Sequence, residues 1–90
     1  MSSAPDLAHR LARARFRARH RGTREADYMI GGFFDRHHPG WSEAELEWFE
    51  ALLEEDDVAI MAWALGSDEV PEKYAGPLML ALQRLDYVTI

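Results

Sequence analysis

The apolar residues of this 90-residue chain recur at helical spacings along its length. In the first such segment Leu7, Leu11, Ala14 and Ala18 follow one another at intervals of four, three and four residues. This spacing is typical of an amphipathic helix with a narrow apolar stripe. Gly22 is the residue at which we expect this first helix to end.

A second helix is predicted beyond that glycine, and Pro39 and Gly40 should end it before a turn. Gly31 and Gly32 stand in its middle, where each glycine costs about 1 kcal/mol relative to alanine. We therefore expect this part of the helix to pack closely against another backbone. The residues on its apolar side are Ala26, Ile30, Phe33, Phe34 and His37.

The start of a third helix is marked most clearly. Ser42 followed by Glu45 three residues later predicts a capping box, and Trp41 before the cap can pack onto Leu46 in the first turns of the helix. Glutamates at 43, 45, 47, 50 and 54 are expected mostly on the solvated side. The buried face should consist of Leu46, Phe49, Leu52 and Leu53.

Two shorter helices complete the pattern. Asp56 or Asp57 can cap a fourth helix, which Gly66 should end, and Pro77 suits the first turn of a fifth. Residues 67–77 between them are predicted to be a loop with one turn of its own, and residues 88–90 a loose tail. The apolar positions are Val58, Ile60, Met61, Trp63 and Leu65 in the fourth helix and Leu78, Met79, Leu82 and Leu85 in the fifth. Since no segment alternates with period two, the pattern predicts an all-α, single-domain, small five-helix bundle.

Charge is distributed very unevenly along the chain. Residues 1–24 contain seven arginines and one aspartate, a net charge of +6, whereas the other 66 residues contain three basic and fifteen acidic residues, a net charge of -12. Such asymmetry can indicate a basic arm for nucleic acid or a membrane surface on an acidic body. It can equally mean that two parts of one small domain attract each other.

Composition excludes several classes of protein. The chain has no cysteine, so it has neither a disulfide framework nor a thiolate zinc site. No apolar run approaches the roughly 18 residues that a membrane span needs, so we expect a soluble intracellular protein without membrane insertion. The arginine-rich, acid-poor N-terminus also resembles an organellar transit peptide. A bacterial cytoplasmic location is the main expectation, and the mitochondrial matrix is the alternative if residues at the N-terminus are such a peptide.

The candidate functional residues surround Gly22, where Arg21, Gly22 and Glu25 form an R-G-x-x-E pattern. In one continuous helix, arginine placed four residues before glutamate is the weaker orientation for a stabilising pair. If Gly22 instead separates two helices, Glu25 lies in the first turn of the second, where the helix dipole favours an acid. Arg21 and Glu25 would then form an exposed pair beside a residue without a side chain, and Arg21 could offer its planar fork to a carboxylate or phosphate of another molecule. The plainer alternative is a helix-breaking glycine with solvated neighbours.

Other possible sites are weaker. His37 and His38 are adjacent, so on a helix they point about 100° apart, and with Asp35 they lack the spacing of a metal site. Residues 54–57 lack the alternating ligands and central glycine of a calcium loop. Ser42 is explained as a helix cap. We therefore predict no catalytic residue, no metal site and no cofactor-binding residue.

Several segments together resemble a known family. "HRGTREAD", "IGGFFD", "LLEEDDVAIMAWALG" and "VPEKYAGPLMLALQRL" are similar to the SdhE-type succinate dehydrogenase assembly factors, also called flavinylation factors. The similarity covers about residues 10–86, which leaves 1–9 as a flexible N-terminus and 87–90 as a tail. The family signature R-G-x-x-E is Arg21, Gly22 and Glu25 here, followed by an acid at Asp27. A second shared block has the pattern L-x-x-D-D-x-x-(I/L)-x-x-W and is formed by Leu53, Asp56, Asp57, Ile60 and Trp63.

The resemblance implies a five-helix protein that is not an enzyme. Members bind the flavoprotein subunit of succinate dehydrogenase, and some also that of fumarate reductase, and they promote covalent attachment of FAD to a histidine of that subunit. It follows that FAD is carried by the partner and is not stably bound here. The partner-binding residues implied by the resemblance are His20, Arg21, Gly22, Arg24, Glu25, Asp27, Asp56 and Asp57.

Two positions depart from the family pattern. His20 stands where a second arginine is usual, which would make partner affinity more sensitive to pH because histidine titrates near neutrality. Ala26 stands where leucine is common. The competing functional classes are a nucleic-acid-binding module built on the arginine-rich first helix and a helical antitoxin or regulatory protein. The acidic remainder of the chain argues against nucleic acid because it would repel phosphates.

Overall fold

A computed structural model describes residues 6–87, and these residues contain five α-helices and no strand. Two short 3-10 helices, His38–Gly40 and Glu72–Tyr74, lie in the connections. The α-helices in chain order are α1, Leu7–Arg19; α2, Arg24–His37; α3, Glu43–Leu52; α4, Asp57–Leu65; and α5, Pro77–Arg84. The predicted all-α five-helix fold is confirmed. Residues 88–90, predicted as a loose tail, lie outside the described residues.

The ends of the helices follow the local sequence signals. The capping box of α3 is present, because Ser42 Oγ accepts from the Glu45 amide and the Ser42 amide donates to Glu45 Oε1. Asp56 is the N-cap residue of α4 but makes no side-chain cap bond. Gly66 ends α4 in the left-handed region, and Pro77 is the first residue of α5. The predicted turn within residues 67–77 is the 3-10 helix Glu72–Tyr74.

The core is a single cluster in which aromatic rings predominate. Phe33 and Phe34 of α2 pack against Phe49 of α3, with ring centroids 6.0 and 5.3 Å from it. Trp41 lies 5.1 Å from the Phe49 ring. The fully buried large side chains are Phe33, Phe34, Phe49, Ile30, Leu46, Leu52, Ile60 and Leu82. Burying such side chains is the main source of stability in a domain of this size.

The two adjacent glycines of α2 occupy the tight contacts that the sequence predicted. A Cβ added to Gly31 would lie 2.8 Å from Arg19 Cγ and 3.6 Å from the Ala18 carbonyl oxygen, so α1 crosses α2 here. A Cβ added to Gly32 would lie 3.1 Å from the carbonyl oxygen of Tyr87. The prediction of close backbone packing is thus confirmed.

Some apolar residues lie elsewhere than the periodicity indicated. Leu7, Val58 and Leu65 are exposed. Leu7 lies in the first turn of α1, and Val58 and Leu65 lie seven residues apart, on the side of α4 away from its buried residues. Conversely, Tyr87 was assigned to the C-terminal tail but is buried, with its hydroxyl donating to the Leu82 carbonyl oxygen at 2.6 Å. Residues 1–9 were predicted to be flexible. Of these, 7–9 form the first turn of α1 and Asp6 is its N-cap residue, whereas 1–5 lie outside the described residues. No helix within residues 6–87 is both long and apolar enough to cross a bilayer.

Candidate functional site

The first interhelical turn separates α1 from α2, as the position of Gly22 predicted. Helix α1 ends at Arg19, and α2 starts at Arg24 with Thr23 as its N-cap residue, whose Oγ1 accepts from the Ala26 amide at 3.2 Å. Gly22 has a φ of +114°, a conformation that residues with a side chain rarely adopt. An added Cβ would meet no heavy atom within 4 Å. The glycine is therefore required by the backbone, and the space in front of it is open.

Arg21 does not form the exposed pair with Glu25 that the sequence suggested, so that expectation is wrong. Its side chain is only 10% exposed and points into the protein, towards the connection between α3 and α4. Nε donates to Asp57 Oδ1 at 2.7 Å, Nη1 to the Leu53 carbonyl at 2.7 Å, and Nη2 to the Glu55 carbonyl at 2.8 Å. The guanidinium group of Arg21 therefore already donates to three acceptors of the same chain.

The contacts of Arg21 satisfy groups that would otherwise lack partners. The last carbonyls of a helix find no N–H donor within that helix, and Leu53 and Glu55 lie just beyond α3. One guanidinium binds both of these carbonyls and the acid in the first turn of α4. Since hydrogen bonds to charged groups are stronger than neutral ones, these three contacts hold residues 53–57 to the first interhelical turn.

A second contact fixes the turn from its other side. The amide of Arg21 donates to Asp27 Oδ1 at 2.6 Å, so a side chain in the first turns of α2 holds the backbone next to Gly22. Of the predicted partner-binding residues, Arg21, Asp27 and Asp57 therefore belong to one internal network. We call these three residues the brace.

The other predicted residues of the turn point outwards. His20, Arg24 and Glu25 are exposed, and within residues 6–87 neither Arg24 nor Glu25 has an ion pair. Asp56 is exposed at the start of α4, next to the brace. The carboxylate of Glu25 lies in the first turn of α2, where the helix dipole stabilises negative charge. We call His20, Gly22, Arg24 and Glu25 the open face of the turn.

A shallow cavity of about 550 Å³ lies at this turn. It is open to solvent, and one aromatic side chain in it, Tyr28, was not among the predicted residues. Tyr28 is 49% exposed. Its position could have been found from the sequence, because it lies on the side of α2 opposite the apolar stripe, where a large aromatic residue has no role in the core. The lining residues are His20, Gly22, Thr23, Arg24, Asp27 and Tyr28.

The opposite charges of the two parts of the chain meet within the domain. Arg10 of α1 pairs with Glu43 at 2.9 Å and Glu50 at 2.7 Å on α3, and the Glu50 hydrogen bond raises the pKa of Arg10. Arg17 pairs with Glu54 just after α3. Most arginines of α1 are thus neutralised by acids of the same protein, which disfavours a basic arm for nucleic acid.

Asp35 and the adjacent histidines are used structurally. Asp35 accepts ion pairs from Arg15 and Arg19 of α1. His38 stacks on the Phe34 ring with centroids 4.4 Å apart, and burial lowers the pKa of His37. Within residues 6–87, no group of three or more histidine and acidic side chains is arranged to hold a metal ion.

The fold defines a class of small five-helix proteins, and in this one the turn at Gly22 is held by the brace from inside and is open to solvent. The family model described as flavinator of succinate dehydrogenase matches residues 12–86. This chain belongs to that family, which confirms the resemblance to the SdhE-type assembly factors seen in the sequence.

Named relatives support the same family. The chain is 39% identical over 74 residues to the FAD assembly factor SdhE of Acetobacter pasteurianus, an alignment covering 82% of this chain and 68% of that protein. It is 33% identical over 78 residues to the mitochondrial succinate dehydrogenase assembly factor 2 of Debaryomyces hansenii, covering 83% and 55%. The corresponding protein of Schizosaccharomyces pombe is 33% identical over 64 residues, covering 71% and 46%. The chain thus spans about half the length of these two mitochondrial relatives.

Proposed function

We propose that this protein is an assembly factor that binds the flavoprotein subunit of succinate dehydrogenase and promotes covalent attachment of FAD to that subunit. Membership of the family and the names of its relatives support the class of function. The observation that carries the assignment to a site is the Gly22 turn, whose backbone is fixed from inside while the space before it is open. The flavoprotein of fumarate reductase, a second partner that the resemblance implies, stays a prediction for this chain.

In this proposal the residues of the turn have two different tasks. The brace, Arg21, Asp27 and Asp57, holds the turn in one conformation before the partner arrives, which reduces the entropy lost on binding. The absence of a Cβ at Gly22 lets the partner's backbone approach closely. Glu25 and Arg24 then offer one charge of each sign to complementary groups on the flavoprotein subunit.

The protein itself performs no chemical step in this mechanism. It stabilises the arrangement of the flavoprotein subunit in which that subunit's own histidine reacts with its FAD, and so it changes a conformational population rather than supplying a catalyst. The cavity at the turn is open and lined largely by charged and hydroxyl-bearing side chains. It therefore fits a protein surface better than an isoalloxazine ring, and FAD stays with the partner. The place of action would be where the dehydrogenase is assembled, the bacterial cytoplasm or the mitochondrial matrix.

Covalent flavin transfer to a purified partner tests this function. The apo flavoprotein subunit is incubated with FAD and with wild-type protein or Glu25→Gln, and covalent flavin is read as fluorescence of the denatured subunit in a gel. We expect wild-type protein to raise the yield. Glu25→Gln should weaken binding about 5- to 30-fold, the usual range for a residue important to an interface, and should lower the yield at limiting concentration.

Glu43→Gln is the matched control, because Glu43 is also an exposed acid in the first turn of a helix. Both substitutions remove a charge that interacts favourably with a helix dipole, at a cost of about 0.3–1 kcal/mol of stability. Glu43→Gln also removes the exposed ion pair with Arg10, so it should lose at least as much stability as Glu25→Gln and still keep full activity. If wild-type protein does not increase covalent flavin, the proposed function is wrong. If Glu25→Gln is as active as wild type, the function stands but Glu25 does not contact the partner.

A further inference from the structure

The solvent side of α1 carries a second set of residues, whose side chains lie outside the core. Arg13, Phe16 and His20 follow at intervals of three and four residues, which places them on one side of the helix. The buried residues of α1, Ala14 and Ala18, lie on the opposite side. We call Arg13, Phe16 and His20 the outer face of α1.

Phe16 is much more exposed than the other phenylalanines of this protein. Its side chain is 63% exposed, whereas the phenylalanines of α2 and α3 are fully buried. Its ring stacks on His20 with centroids 4.0 Å apart and planes inclined by 18°. Exposed large aromatic residues that do not serve the core are typical of binding surfaces, where they are enriched as energetic centres.

The aromatic pair is held in one orientation before any partner binds. His20 Nδ1 lies 2.7 Å from the Phe16 carbonyl oxygen, and since a carbonyl only accepts, Nδ1 must carry the proton and donate it. The other ring nitrogen, Nε2, remains as the second polar atom of the ring. Stacking and this hydrogen bond together restrict both side chains, so little conformational entropy is lost when another surface covers them.

The charges around the pair are uncompensated. Arg10 and Arg17 of α1 pair with acids of this chain, but Arg13 has no ion pair within residues 6–87. Arg24, across the turn, has none there either. The outer face is continuous with the open face of the turn, because His20 belongs to both and lines the cavity there. The complementary surface should therefore combine an apolar pocket with carboxylates.

We propose that the outer face of α1 extends the docking surface for the flavoprotein subunit, with Phe16 filling an apolar pocket of that subunit and its carboxylates pairing with Arg13 and Arg24. This proposal rests on the proposed function. A nucleic acid is disfavoured as the occupant because binding through phosphates commonly needs about 6–10 contacts, and two arginines cannot supply them. An aromatic anchor with a few flanking charges matches the usual composition of protein interfaces.

Binding to the purified flavoprotein subunit, measured by surface plasmon resonance, tests the proposal with a matched pair of variants. Phe16→Ala should raise Kd about tenfold or more, since a buried aromatic anchor is lost. Leu80→Ala is the control, because Leu80 is 60% exposed in α5 and belongs to neither face. It should change Kd less than about twofold. Both substitutions place alanine in a helix at an exposed position, but Phe16→Ala also removes the stacking on His20. Binding is therefore compared at a temperature well below the unfolding midpoints of both variants.

The contribution of the arginine charges can be measured separately, through the association rate. Arg13→Gln should slow association and flatten the dependence of the association rate on salt, because long-range attraction steers acidic partners to it. Equal Kd values for Phe16→Ala and wild type would overturn the proposal. If Glu25→Gln then still weakens binding, the outer face alone is wrong and the proposed function survives. If wild-type protein does not bind the subunit, both this proposal and the proposed function are wrong. The same holds if the protein binds a short duplex DNA instead of the subunit and Arg13→Gln abolishes that DNA binding.

Discussion

Two glycine turns of this protein share a positive φ but are stabilised by different contacts. Gly22 between α1 and α2 and Gly66 after α4 both have positive φ, +114° and +76°, and neither has a heavy atom within 4 Å of an added Cβ. At Gly66 the preceding helix closes the turn itself. The Gly66 amide donates to the Trp63 carbonyl at 3.2 Å and the Ser67 amide to the Ala62 carbonyl at 2.9 Å, a Schellman-type cap.

The Gly22 turn depends on distant residues instead. The Arg21 side chain reaches residues 53, 55 and 57, between 32 and 36 positions along the chain, and its amide is held by Asp27. A local cap would be enough to end α1. The long-range brace additionally fixes where the turn lies relative to α3 and α4, which matters for a surface that must be presented to a partner in one geometry.

Removing the brace should have the largest effect on stability. Arg21→Ala leaves Asp57 without its partner and two carbonyls without donors, so we expect the free energy of unfolding to fall by about 2–4 kcal/mol. Urea unfolding followed by circular dichroism measures this loss. Flavin transfer should fall as well, because the turn is no longer held in place.

Arg17→Ala provides the control for removing a guanidinium of the same segment. Its ion pair with Glu54 is solvent-exposed, with side chains 37% and 66% exposed, so its loss should cost only about 0–1 kcal/mol. Equal stability losses in the two variants would contradict the view that Arg21 is a structural residue. If Arg21→Ala were as stable as wild type but inactive, Arg21 would instead be a direct contact to the partner.

The second prediction compares the two glycines directly. Gly22→Ala and Gly66→Ala both force a side chain into a positive φ, and each should cost about 1–2 kcal/mol. Neither variant meets a steric clash inside the protein. We expect only Gly22→Ala to impair flavin transfer, because only that position lies on the open face, where the new methyl group would meet the partner.

Measuring activity at a temperature well below both unfolding midpoints separates stability from docking. If both glycine variants lose activity in proportion to their stability, the function of Gly22 is conformational only. If neither loses activity, the partner does not approach the backbone at Gly22.

The sequence predicted the parts of the fold that depend on neighbouring residues. Ser42 and Glu45 marked the start of α3, and Gly66 and Pro77 marked the end of α4 and the start of α5, because caps are made by residues within a few positions of one another. The paired glycines of α2 indicated a close crossing for a similarly local reason, their cost in a helix.

Contacts between distant residues were not predictable in the same way. The apolar residues of α4 are spread around the helix, so their spacing could not tell which side is buried, and Val58 was expected on a buried side but is 82% exposed. The contacts of Arg21 depend on how α3 ends next to α1, which no spacing within residues 21–25 reveals. The motif therefore identified the correct place in the fold but not which of its residues face inwards.

The smallest expected effect concerns the link between the two turns. The Glu55 carbonyl accepts from Arg21, while the Glu55 carboxylate accepts at 2.6 Å from the hydroxyl of Tyr74, in the 3-10 helix that follows the Gly66 loop. This hydrogen bond lowers the pKa of Glu55 from its ordinary value of 4.5, and burial raises the pKa of Tyr74 to about 12. Acid should therefore loosen the connection between the turns.

Because the pKa of Glu55 is lower in the folded than in the unfolded protein, the unfolded chain binds this proton at higher pH. The stabilisation is complete above pH 4.5 and is lost as the pH falls through the folded pKa. Tyr74→Phe removes this hydrogen bond and also the contact of the hydroxyl with the Ala51 carbonyl at 3.2 Å. Its urea midpoint should therefore lie below that of wild type at about pH 6, and the difference should become smaller in acid. Tyr28→Phe, which changes an exposed tyrosine, should show no such pH-dependent difference. A Tyr74→Phe deficit that stays constant down to acid pH would mean that the Tyr74 hydroxyl stabilises the protein through the Ala51 carbonyl and that Glu55 does not couple the two turns.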